Sequence, residues 1–96
     1  MKIMELHEAS NRFYFLDDDG KEAGEVTFTK PYENVLSIDH TFVDPAYRGQ
    51  KLAGQLIQAV VDKAVREHKK IIPVCSYAQA KFRRVKAYQD VEYHGA

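Results

Sequence analysis

The sequence predicts a single α/β domain in which an antiparallel β-meander is followed by strand, helix, strand and helix. Three observations carry this. Short runs of alternating aromatic, branched and polar residues, separated by turn signals, fill residues 1–43. A two-row apolar stripe at helical spacing follows between Leu52 and Val65, and a brief apolar run at 69–76 comes directly after it.

Each element has its own justification. "IMELH" is a short strand, and "NRFYFLD" a second, closed by the turn signal "DDDG" before "EAGEVTFTK" resumes the alternation. "KPYEN" supplies a Pro and Asn turn. "VLSIDHTFV", residues 35–43, is then a fourth strand, with Leu36, Ile38, His40 and Phe42 on one face and Val35, Ser37, Asp39, Thr41 and Val43 on the other. The helix shows Leu52, Ala53, Leu56, Ile57, Val60, Val61, Ala64 and Val65 as adjacent i, i+4 rows, with polar residues opposite, so one broad face packs on the sheet. "KKIIPVCS" is a short buried strand, and strand, helix, strand at this length implies a right-handed parallel crossover. Pro73 cannot donate to a ladder, which places it at an edge or where neighbouring strands part. "YAQAKFRRVKAYQDV" reads as a last helix, broken or frayed near Val85, and "EYHGA" is too short to assign.

Composition limits the function. Ninety-six residues hold one folded unit, residues 1–96, with a single core. The net charge is zero, so a charged partner must be met by a local patch and not by a global field. No segment approaches the ~20 apolar residues of a membrane span, and the start of the chain lacks the pattern of a secretory leader. One cysteine, Cys75, excludes an internal disulfide and a multi-cysteine zinc site and suits a reducing, cytoplasmic setting.

The stretch "VDPAYRGQKLAGQL" joins the fourth strand to the helix. Asp44 and Pro45 end the strand, Gly49 permits a tight turn, and the first N–H groups of the helix have no partner within it. With the helix dipole behind them, those amides form a site for an anion such as a diphosphate, although any strand-to-helix connection needs a turn of this kind.

This stretch resembles the acetyl-CoA-binding motif of the GNAT N-acetyltransferase superfamily: Arg or Gln, two residues, Gly, one residue, then Gly or Ala. Arg48 and Ala53 match and Lys51 departs. Together with "KIIPVCSYAQAKFRR" and "YQDV", residues 35–92 resemble the small single-domain GNAT-like family, and the amino-terminal meander suits the same truncated fold. The resemblance implies a cytoplasmic N-acetyltransferase that uses acetyl-CoA as cosubstrate. It implies a diphosphate cradle built from Arg48, Gly49, Gln50, Lys51, Leu52, Ala53 and Gly54, and a pantetheine arm lying between splayed parallel strands beside Phe42 and Val43. At Lys51 the backbone N–H survives the change of side chain, and the ammonium can itself pair with phosphate.

For catalysis the resemblance points to Cys75, at the carboxyl end of the second parallel strand, as an acetyl acceptor or a pocket-lining residue. His40, from the neighbouring strand, is the candidate to activate it, the alternative being a satisfied core histidine. Direct transfer without a covalent intermediate stays open, with Phe42 or Asp39 near the position where other superfamily members place a glutamate. Tyr77 and Tyr88 are both candidates to protonate a leaving thiolate.

"KFRRVK", with Lys81, Arg83, Arg84 and Lys86, reads as a solvated helix face, with a CoA phosphate or nucleic acid as the functional alternatives. "DDDG" reads as a turn and not a metal site. The predicted function is therefore transfer of acetyl from acetyl-CoA to an amine, of small-molecule or protein origin, with no metal, no membrane and no nucleic-acid partner. A CoA-binding module without turnover and an interaction domain using the basic helix are the competing readings.

Overall fold

Alternation decides the first half of the structure, a computed structural model that describes residues 4–95. Four strands form an antiparallel meander: β1 (Glu5–Glu8), β2 (Arg12–Leu16), β3 (Glu22–Tyr32) and β4 (Val35–Val43). Phe13 and Phe15 of β2, Val26 and Phe28 of β3 and Leu36 and Ile38 of β4 are all buried in one core. Ile3 of the expected first strand lies outside the described residues, and the strand extends one residue past His7. β3 runs on through Pro31 to Tyr32, so the turn into β4 shrinks to Glu33 and Asn34, with Asn34 left-handed (φ 63).

A 3-10 turn (Pro45–Tyr47) and a loop lead into α1 (Leu52–Glu67), which is followed by β5 (Lys70–Pro73). β5 pairs parallel with β4 from Val35↔Lys70 to Ile38↔Pro73, giving the sheet order β1-β2-β3-β4-β5 and the expected crossover. The α1 stripe is buried at Leu52, Leu56, Ile57, Ala59, Val60, Val61 and Ala64. Full burial of each of Leu56, Ile57 and Val60 contributes about 1.5–3 kcal/mol against exposure. Val65, expected on that face, is exposed.

The last helical region is two helices, α2 (Ser76–Arg84) and α3 (Lys86–Gln89), parted where Val85 takes an extended conformation (φ −100, ψ 103). Ala78, Phe82 and Tyr88 carry this region into the core shared with α1. The short tail is ordered by β5: the Ile71 N–H donates to the Val91 carbonyl and the Tyr93 N–H to the Ile71 carbonyl, both at 2.7 Å.

One expectation for β4 is corrected. The register passes from Ile38↔Phe28 to His40↔Thr27, so Asp39 is an extra residue, a β-bulge. An added residue inverts the alternation beyond it. Thr41, opposite the buried Val26, therefore shares the core side with Ile38, while His40 and Phe42 turn to the other face and are exposed.

Candidate active site

The loop between β4 and α1 is fixed from below. The Asp44 N–H donates to the Ala23 carbonyl at 2.8 Å, and Asp44 Oδ1 accepts from the Ala46 N–H at 2.9 Å, capping the 3-10 turn. Tyr47 is buried, and its hydroxyl donates to Asp17 Oδ2. Asp17 Oδ1 accepts from the N–H groups of Asp19 and Lys21, both at 2.9 Å. "DDDG" is thus a turn, and its buried first carboxylate also braces the loop.

Two left-handed residues shape the rest. Gly49 has φ 89 with open space around its missing Cβ, so conformation and not crowding calls for glycine. Lys51, the N-cap of α1, has φ 61 and ψ 27. This is a position glycine occupies at no steric cost, which gives the lysine departure its physical meaning.

The first turn of α1 is unfinished. It has no side-chain cap and no acidic residue, and its first helical bond is the Gln55 N–H to the Lys51 carbonyl at 3.3 Å. Among the described residues no acceptor meets the N–H groups of Leu52, Ala53 and Gly54. The residues of the first two, Leu52 and Ala53, line a cavity of about 140 Å³ together with Val43, Tyr47, Arg48, Gly49 and Lys51. The positive end of the helix dipole faces it.

β4, whose last residue Val43 lines this cavity, outruns its parallel partner β5. The N–H groups of Val74 and Cys75 both donate to the Ile38 carbonyl, at 3.0 and 3.1 Å, after which the chain turns into α2 while β4 continues to Val43. The Asp44 N–H is bonded to β3 and the Phe42 carbonyl is directed at Gly24, where a Cβ would meet it at 2.8 Å. By alternation, Phe42 has its backbone turned to β3, and Thr41 and Val43 present theirs to the vacated side.

Cys75 stands at the parting point. Its half-buried sulfur caps α2, accepting from the Ala78 N–H at 3.4 Å, and lies 3.4 Å from Thr41 Oγ1. Among the described residues His40 is not a hydrogen-bond partner of Cys75, because the bulge has carried it to the other face. Asp39, at the bulge, accepts from the hydroxyls of Ser37 (2.5 Å) and Thr29 (2.8 Å).

The two tyrosines differ. Tyr88 is buried and its hydroxyl donates to Gln58 Oε1 at 2.6 Å; burial, then the nearby Asp62, raises its pKa. Tyr77 is partly exposed, and burial raises its pKa against the opposing Arg84 charge, so the phenol keeps its proton. A Cβ at Gly54 would lie 3.6 Å from the Tyr77 hydroxyl and 3.3 Å from Lys81 Nζ, so both side chains reach the first turn of α1. Sequence reasoning missed Thr41, the Tyr47–Asp17 brace and this approach of Lys81. The available signal for the last was a glycine inside a strong helical pattern.

Comparison with known proteins bears on the family and the fold. The family model described as GCN5-related N-acetyl-transferase matches residues 12–91. A GCN5-like protein from Staphylococcus aureus, solved by NMR, is 34% identical with a TM-score of 0.77, covering 96% of this chain and 90% of that one. YhbS from Escherichia coli, a GNAT-family structure solved with CoA, is 16% identical with a TM-score of 0.60 and covers 73% of this chain and 60% of its own. Nourseothricin acetyltransferase, 24% identical with a TM-score of 0.57, covers 76% and 46%. These two share the fold, and the present chain spans only about half of their length. No curated protein sequence matches the chain. The chain belongs to the GCN5-related N-acetyltransferase family.

Proposed function

We propose that this protein transfers acetyl from acetyl-CoA to an amine, and that the unfinished end of α1 holds the diphosphate. The carrying observation is the row of open amides at Leu52, Ala53 and Gly54 beside a parting pair of parallel strands. Amides without an internal acceptor, a left-handed N-cap and a loop glycine fit a bound diphosphate. Backbone groups of Thr41 and Val43, facing the vacated strand position, suit the amides of a pantetheine arm, which would bind as an added strand does. The cosubstrate supplies an activated acetyl thioester.

At the far end of that path lies Cys75. In this reading Sγ takes the acetyl group, an Sγ–carbonyl bond replacing the bond to the CoA sulfur. The thiol proton is released as the departing sulfur gains one, so the exchange is proton-neutral. Attack by the acceptor amine then restores the free thiol and yields the amide. The Ala78 N–H and Thr41 Oγ1 orient the sulfur. His40 has no place in this step, since it lies on the other face.

Incubation with acetyl-CoA followed by intact-mass measurement tests the reading. A single acetyl adduct is expected, absent in Cys75→Ala and retained in His40→Ala. An adduct that persists in Cys75→Ala contradicts the covalent route, and absence of CoA binding contradicts the function.

A further inference from the structure

We infer that Lys81 is a diphosphate-binding residue of the acetyl-CoA site and that Gly54 is the slot through which it reaches it; this rests on the function proposed above. Lys81 comes from α2, distant in sequence from the phosphate loop. At Gly54, the third residue of α1, a Cβ would sit 3.3 Å from Lys81 Nζ and 3.5 Å from Lys81 Cε. The ammonium therefore lies against the turn that presents the open amides.

Its charge has no match among the described residues. Arg12 is paired with Glu22 and Glu25, Lys63 with Glu8 and Glu67, and Lys69 with Glu67. Among the described residues Lys81 has no carboxylate and no hydrogen-bond acceptor. Nor does it follow the rest of "KFRRVK": Arg83, Arg84 and Lys86 are exposed, whereas Lys81 is half-buried and turned to α1. An ammonium packed on the positive end of a helix is repelled by it, and an anion between the two reverses the sign of both interactions. The Tyr77 hydroxyl, at the same spot, adds a neutral donor.

Glycine in the first turn gives the ammonium room, since a Cβ there would press on Lys81 Nζ at 3.3 Å while meeting Lys81 Cε and the Tyr77 hydroxyl at ordinary contact distance. Alanine is the better helix former, so Gly54→Ala favours the helix while its methyl group displaces the flexible end of Lys81. The inference thus predicts a separation that ordinary packing does not: a variant with higher thermal stability and weaker cosubstrate binding.

Calorimetric titration of CoA and of 3′-dephospho-CoA into the full chain, at two salt concentrations, tests it. Lys81→Met is expected to weaken both ligands by roughly tenfold and to flatten the salt dependence. Gly54→Ala is expected to raise the melting temperature and weaken both ligands. The double variant is expected to bind no worse than Lys81→Met. Unchanged affinity in Lys81→Met overturns the inference alone, as does a loss seen with CoA but not with 3′-dephospho-CoA, which would put Lys81 on the 3′-phosphate. A wild-type chain that binds neither ligand overturns the acetyl-CoA reading and this inference with it.

Discussion

At its C-terminus α1 is closed by the chain's own groups. His68 takes the left-handed conformation (φ 57), its N–H and that of Lys69 return to the carbonyls of Val65 and Ala64, and Glu67 sits between Lys63 and Lys69. At the N-terminus Lys51 is left-handed as well (φ 61), yet no side chain caps the amides and no acid offsets the dipole. One end spends its polar groups on itself, and the other holds them ready for something outside the chain. The contrast separates residues that serve stability from those that serve binding, although they occupy one helix.

The largest expected effect breaks the open end. Gly49→Val places a β-branched residue at φ 89, a strain of about 1–3 kcal/mol, and acetyl-CoA affinity measured by calorimetry should fall by roughly tenfold or more. Unaltered affinity would mean that the loop backbone is not the cradle. Next is the brace beneath the loop: Tyr47→Phe takes a donor from the buried Asp17 and should cost about 1–3 kcal/mol, a drop of several degrees in a melting curve.

Lys51→Gly works in the opposite direction. Relief of the left-handed conformation should stabilise the fold by about 1 kcal/mol and leave acetyl-CoA affinity similar or improved. A marked loss of affinity would instead assign the binding to the ammonium.

The smallest effect belongs to the closed end. Hydrogen bonds from Lys69 and then Lys63 lower the Glu67 pKa to about 2 from an ordinary value near 4.5. A depressed carboxylate contributes stability above its unfolded pKa and loses it as pH falls towards the folded value. Denaturant midpoints should therefore decline between about pH 4.5 and 2 in the wild type, and less so in Glu67→Gln. The group is partly exposed, so the difference should stay below about 1 kcal/mol.

Much of this was legible in the residues. "VLSIDHTFV" is β4 from end to end, and the helix stripe starts where α1 starts, at Leu52, and ends at Val65, short of its last residue Glu67. Val85 marks the break between α2 and α3, and Pro73 the point where the strands part. What stayed hidden depends on register and tertiary approach. The bulge at Asp39 moves His40 off the face that strict alternation gives it, and nothing in "SIDHT" announces an inserted residue. Thr41 consequently takes the place beside Cys75 that the sequence offered to His40. Lys81 looked like its solvated neighbours because its turn towards Gly54 is a tertiary approach, at which only the glycine inside the α1 pattern hints.

The central claim is that the open end of α1 holds the cosubstrate's diphosphate. Titrating CoA into the isotope-labelled chain and following backbone amide resonances tests it directly. The largest shifts should fall on residues 50–54, with a second set at Thr41 and Val43, and Lys63 to Lys70 at the closed end should stay in place. Shifts centred on the closed end, or none at all, would contradict it.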